Sequence, residues 1–108
     1  MSDQKPAPEV ITLNSIMDYQ EHAVVSRTFL KKDKGNVTVF AFDKEEALSE
    51  HTAPHDAMVI ILEGQAEVSI AGTPYTLSAG EMIIMPANQP HAIKALSPFK
   101  MLLIMIKE

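Results

Sequence analysis

Four histidines and no cysteine limit the metal-ligand and nucleophile chemistry open to this chain. His51 and His55 lie four residues apart in the segment Glu50–Gly64, which runs through Pro54 into the apolar stretch Met58-Val59-Ile60-Ile61-Leu62. His91 follows a second apolar stretch, Met82-Ile83-Ile84-Met85, and the phrase Pro86-Ala87-Asn88-Gln89-Pro90. Imidazole suits zinc, iron, nickel and copper, with manganese also open, and three imidazoles leave coordination positions free for a substrate. If the two segments are neighbouring strands, His51, His55 and His91 converge, and the expected site is a divalent first-row ion held by those three rings. Without a metal, His51 and His91 serve instead as acid and base or as hydrogen-bond donors to a ligand, because imidazole titrates near pH 6.5. His22 sits in a polar stretch ahead of the first clear strand and is assigned no role.

Strand periodicity sets a condition on this site. Side chains alternate faces, so His51, Ala53, His55, Ala57, Val59 and Ile61 share one face of a regular strand. On it His51 and His55 stand about 13 Å apart at roughly 3.3 Å per residue, too far to share one ion at bond lengths of about 2.1 Å. A bend at Pro54 is therefore required, and proline supplies one because it lacks an N–H for the ladder and restricts the residue before it. The ordinary alternatives are a solvent-exposed His55–Asp56 pair at a strand entrance, and a core His91 bonded to a backbone carbonyl.

The elements that must position these rings are short and extended. Val10–Leu13 reads as a first strand, followed by one helical turn over Ile16–Gln20 capped by Asn14 or Ser15. Val24–Leu30 and Val37–Phe42 are rich in β-branched and aromatic residues and are joined by a turn at Gly35-Asn36. Lys44–Glu50 reads as a polar connection. Met58–Leu62, Gln65–Ile70, Pro74–Leu77, Gly80–Met85, His91–Leu96 and Phe99–Ile106 follow, separated by turns and with no helical period. Prolines 54, 74, 86, 90 and 98 all fall at segment ends. The fold class expected is all-β, a closed barrel of six to ten strands spanning residues 21–108, preceded by an N-terminal arm over residues 1–20.

With 108 residues the chain suits one domain. Its net charge of −5 runs against phosphate-backbone binding, which needs clustered lysine and arginine. No helix-turn-helix can be placed, so a transcriptional sensor half is disfavoured. The start, Met1–Glu9, lacks the apolar centre of a signal peptide, and the longest apolar run, at Met101–Ile106, is far short of the roughly 20 residues that span a bilayer. A cytoplasmic protein is expected, with no nucleic-acid or membrane partner. Of the methionines, Met58, Met82, Met85, Met101 and Met105 lie on expected strands. Methionine fills irregular cores and adaptable pockets. A pocket lined by Phe40, Phe42, Val59, Ile61, Met85 and Met105 would suit a small, mostly apolar ligand with one anionic or carbonyl end. The spare β-forming ends, Val10–Leu13 and Phe99–Ile106, suggest a homodimer.

These segments resemble the two motifs of the cupin superfamily, small conserved barrels of double-stranded β-helix, jelly-roll-like form. Gly80, Pro86 and His91 are in register with the second motif, and His51 and Gly64 with the first His and closing Gly of the first motif, where Leu62-Glu63-Gly64 matches a common turn phrase. The resemblance covers roughly residues 35–106 and implies a site inside the barrel. Ala53 and Ala57 stand where the family carries its second His and its Glu, and Asn88 and Ala95 replace a Gly and an Asn. Two of four family ligands are thus absent. A three-His site without carboxylate keeps its full positive charge and favours an anionic ligand such as a small carboxylate or enolate. Enzyme or metal-free binding barrel both stay open.

Overall fold

The structure is a computed structural model and describes residues 7–107. Its described residues form nine strands: β1 Val24–Lys32, β2 Gly35–Phe42, β3 Ala47–His51, β4 Asp56–Glu63, β5 Gln65–Ile70, β6 Thr73–Ser78, β7 Met82–Met85, β8 His91–Ala95 and β9 Phe99–Ile106. They make two antiparallel sheets, ordered β1-β2-β9-β4-β7 and β3-β8-β5-β6. The chain passes repeatedly from one sheet to the other, so neighbours within a sheet are distant in sequence and β9 lies between β2 and β4. No described helix is long and apolar enough to cross a membrane.

Alternation decides what lies between the sheets. Phe42, Ala57, Val59, Ile61, Phe99 and Met101 from the first sheet meet Ala66, Val68, Leu77, Ile93 and Ala95 from the second. Phe42 and Phe99 stack with ring centres 4.5 Å apart. The other end of the interior is less tightly closed: Phe40, Leu48, Ile70, Ile83, Leu103 and Met105 pack against the core but are only partly buried. Buried Thr38 meets Thr28 across the β1–β2 ladder with hydroxyls 3.0 Å apart, so neither is left unpaired.

Four local expectations change. Val10–Leu13 forms no strand, and Val10 is fully exposed. The single helical turn is a 3₁₀ turn at Leu13–Ser15 rather than at Ile16–Gln20. The β1–β2 turn falls on Asp33-Lys34, with Gly35 and Asn36 inside β2; a Cβ on Gly35 would lie 2.4 Å from the Met105 carbonyl oxygen, so this glycine serves close strand approach. Finally, the polar connection contains an edge strand, β3. Leu48 alone among its residues packs against the core, and this leaves too little apolar alternation to read from sequence.

Part of the expected N-terminal arm, residues 1–6, lies outside the described residues. The described part is a strap on the outer face of the first sheet. Asn14 Nδ2 donates to the Leu62 carbonyl at 2.9 Å, and the buried Lys100 ammonium donates to the Asn14 carbonyl. Lys100 also lies 3.8 Å from Glu63 and over the Tyr19 ring. Tyr19 donates to Glu63 at 2.6 Å; burial, and then this bond to a carboxylate, push its phenol far above the usual value.

Candidate functional site

His51 and His91 meet because β3 and β8 pair. They are partners in the ladder, and each lies at a strand terminus. Their Nε2 atoms stand 3.1 Å apart, and the rings are nearly perpendicular, with centres 4.3 Å apart. His91 is 6% exposed, whereas His51 is exposed to solvent. The pair therefore spans the boundary between the barrel interior and water.

The other ring nitrogens determine what this contact is. His51 Nδ1 lies 3.0 Å from the Ser49 carbonyl oxygen, and His91 Nδ1 lies 3.3 Å from that of Gln89. A carbonyl only accepts, so each contact is a hydrogen bond in the tautomer that carries the ring proton on Nδ1. Two neutral rings so arranged present two Nε2 lone pairs to one another. A proton carried on Nε2 of the exposed His51 turns the contact into a hydrogen bond that buried, neutral His91 accepts. The expected alternative of a core His91 bonded to a backbone carbonyl describes part of the geometry, and the neighbouring ring adds the chemistry.

Burial is the largest influence on His91 and lowers its proton affinity; His51 and, more weakly, His55 act in the same direction, opposed by the bond to Gln89. His91 is thus held below its ordinary value of 6.5, and the unfolded chain binds more protons than the folded one as pH falls through that value. The stability contributed by neutral His91 is complete above the unfolded value and is lost as pH falls through the lowered folded one. Urea midpoints followed from about pH 8 to about pH 5 should decline, and His91→Gln should flatten that decline; an equal slope in both proteins would refute the assignment.

His55 does not share a strand with His51. β3 ends at His51 and β4 begins at Asp56, in the other sheet, and the chain bends at Pro54 and His55 as that proline led us to expect. The single face drawn through residues 51–61 is therefore divided between two sheets. Asp56 uses one carboxylate oxygen to accept the Ala87 N–H at 2.8 Å. Among the described residues no group of three His, Asp or Glu side chains is placed to hold a metal ion. The donor set at the family's ligand positions is His51 and His91, since Ala53 and Ala57 offer nothing. Two imidazoles are fewer than the three or four protein ligands that zinc sites ordinarily use, so the residues brought together do not fit a resident divalent metal.

Of the expected pocket residues, Phe42, Val59, Ile61 and Met85 are buried in the core, while Phe40 and Met105 are partly buried beside it. Three features escaped sequence reading. The Ser49 and Gln89 carbonyls that set the tautomers carry no residue-type signal. The Lys100 cluster had one, a lone cation inside the apolar run Phe99–Ile106. Asn88, where the family motif has glycine, sits at φ 66°, and its N–H donates to the Ala53 carbonyl at 2.8 Å. Asparagine tolerates this left-handed backbone better than most residues. Asn88→Gly should be neutral or slightly stabilising and Asn88→Ala should cost about 1 kcal/mol, read as denaturation midpoints; equal midpoints would show that the turn relaxes.

Residues 38–106 match the sequence profile described as the cupin domain. A conserved protein of unknown function from Streptococcus pyogenes is 35% identical, with a TM-score of 0.90, covering 100% of this chain and 96% of its own. A cupin superfamily protein from Desulfitobacterium hafniense is 27% identical over 99% of this chain and 100% of its own, with a TM-score of 0.90. A cupin 2 conserved barrel domain protein from Leptotrichia buccalis is 38% identical over 90% of this chain, with a TM-score of 0.87; the match spans 47% of its length, about half. No protein of curated function matches the chain.

Proposed function

This chain belongs to the cupin family, and from that premise we propose that it is a small-molecule-binding barrel whose His51–His91 pair receives the carboxylate or carbonyl end of a compact, largely apolar ligand. The observation that carries this reading is the pair of Nε2 atoms facing each other at 3.1 Å while both Nδ1 atoms are committed to backbone carbonyls. One proton on the pair creates a cation at the edge of an apolar interior, and an incoming carboxylate oxygen accepts the Nε2–H in place of the second ring. The partly buried Phe40, Leu103 and Met105 supply apolar contact for the rest of the ligand. The pair also has the parts for proton transfer, a neutral ring beside a protonated one, if the bound compound is reactive.

A metal-bearing reading needs a third ligand. His55 is the candidate, and it is near enough to His91 for its charge to lower that ring's proton affinity. The ion would then be divalent zinc, iron, nickel, manganese or copper, and its substrate a small carboxylate or dicarbonyl compound. A cytoplasmic setting accords with the absence of cysteine, and no nucleic-acid or membrane partner is invoked.

The test uses untagged protein. Imidazole ¹⁵N shifts are followed while small aliphatic, aromatic and 2-oxo carboxylates are added, and metal per chain is measured by elemental analysis. Saturable shifts of the His51 and His91 Nε2 signals in metal-poor protein support the metal-free reading. Near-stoichiometric metal that is lost in His55→Ala replaces it with the second. No saturable shift and no metal after incubation with all five ions removes both.

A further inference from the structure

The interior holds a second polar pair. Thr38 is 7% exposed, and on β2 it alternates with Phe40 and Phe42, which pack in the interior, so its side chain shares their face. Its partner across the β1–β2 ladder is Thr28, with the two hydroxyls 3.0 Å apart. On the other side of β2 the ladder partner of Thr38 is Leu103, which with Phe40 belongs to the apolar wall assigned to the ligand. Thr28, unlike Thr38, is exposed. The threonine pair thus crosses from interior to water, as the imidazole pair does.

Chain connectivity sets the two pairs against each other. β1 and β3 are edge strands of different sheets. Residues 43–46 alone join β2 to β3, so β3 with its neighbour β8 lies across the interior from β2 with its neighbour β1. The Asp43 N–H donates to the Ala23 carbonyl and the Ala95 N–H to the Glu46 carbonyl, which ties the ends of this connection to the two sheets. Thr38 stands four residues before the end of β2 at Phe42, and His51 four residues after the start of β3 at Ala47. At roughly 3.3 Å per residue both lie about 13 Å from the connection, at a similar height in the barrel. From Leu48 to His51 β3 takes three steps against two from Ile93 to His91 on β8; this extra residue lowers His51 by about one step and returns it to the face of Leu48.

A hydroxyl has one hydrogen to give and two lone pairs to receive. The contact between Thr28 and Thr38 uses one hydrogen, and the hydroxyl that accepts keeps its own, for which the described residues supply no further acceptor. We propose that this pair is the second polar anchor of the ligand, donating to a carbonyl or hydroxyl oxygen at the end remote from the carboxylate. The compound is then an oxo- or hydroxy-carboxylic acid with an apolar middle, lying across the barrel from the imidazole pair to the threonine pair. A plain aliphatic acid of the same length displaces water and leaves that hydrogen unpaired, so the site discriminates against it. The inference rests on the carboxylate reading of the His51–His91 pair.

Isothermal titration of the untagged full chain compares pentanoate and hexanoate with their methyl-ketone counterparts, 4-oxopentanoate and 5-oxohexanoate. Each oxo acid is expected to bind about two- to tenfold more tightly than its parent, the range of one neutral hydrogen bond. Thr28→Val with Thr38→Val removes both hydroxyls at nearly constant shape, a change close to neutral for folding. It should erase that preference and leave the affinity for the parent acids unchanged, with the circular-dichroism spectrum and unfolding midpoint confirming the fold. His91→Ala should weaken all four acids alike and keep the preference, so the two anchors fail separately. Equal affinity for parent and oxo acids overturns the inference and leaves the imidazole reading standing. A preference that survives in the double valine variant overturns it as well. Binding of none of the four, with the imidazole ¹⁵N signals unmoved, overturns both.

Discussion

Gly64→Ala is expected to destabilise the protein by about 3–5 kcal/mol, enough to leave little folded chain if its stability is ordinary for its size. Gly64 closes β4 before β5 at φ +79°, and a Cβ placed there would stand 2.1 Å from the Pro98 carbonyl oxygen and 2.7 Å from two atoms of Phe99. The left-handed backbone costs a side chain about 1–3 kcal/mol and the forced separation a similar amount. Relief would mean moving the start of β9, where the wholly buried Phe99 stacks on Phe42. Gly72 and Gly80 serve as internal controls: their φ values are +85° and +86°, but nothing lies within 4 Å of an added Cβ. Alanine there carries only the backbone term, about 1 kcal/mol. Thermal and urea unfolding of the three variants separates conformation from contact. If Gly64→Ala costs no more than Gly72→Ala, the approach of β4 to Pro98 is not a constraint on the fold.

His91→Ala should weaken binding of any carboxylate that shifts the pair by about 10- to 100-fold, the range of a charge-assisted hydrogen bond of about 1.5–3 kcal/mol. His51→Ala should do nearly the same despite its exposure, because the proton offered to the ligand is the one held between the two Nε2 atoms before it binds. The double variant should then lose little more than either single one. That non-additivity is the signature of a unit. Losses that add would mean two separate contacts, and binding unchanged in His91→Ala would place the ligand elsewhere. Circular dichroism and unfolding midpoints accompany each variant, since truncating a ring that is 6% exposed also leaves a void.

The site was legible in pieces. His51, Gly64, Gly80, Pro86 and His91 carry the family spacing, and the profile match over residues 38–106 agrees with the extent read from those motifs. The bend at Pro54 was also legible, because a proline interrupts a ladder whatever surrounds it. Its consequence was not, since a bend marks where a strand stops without saying which sheet receives the next one. β3 escaped notice for a related reason: an edge strand with one core-facing side chain, Leu48, lacks the alternation by which strands are recognised. Asn88 reads as a departure from a glycine motif and proves to be a left-handed residue of a kind that asparagine supports.

Local chemistry governs the part that can be read from the residues alone. Period-two apolar patterning makes the strands, Gly64 and Gly80 take the left-handed turns, and two alanines remove the family's other ligands whatever the chain does in space. Which imidazoles meet depends on how the strands pair. His51 and His91 are forty residues apart and are joined by the β3–β8 ladder, whereas His55, four residues from His51, lies in the bend that precedes β4. The Nδ1 atoms face the Ser49 and Gln89 carbonyls, which every residue type possesses and which only the folded backbone can aim.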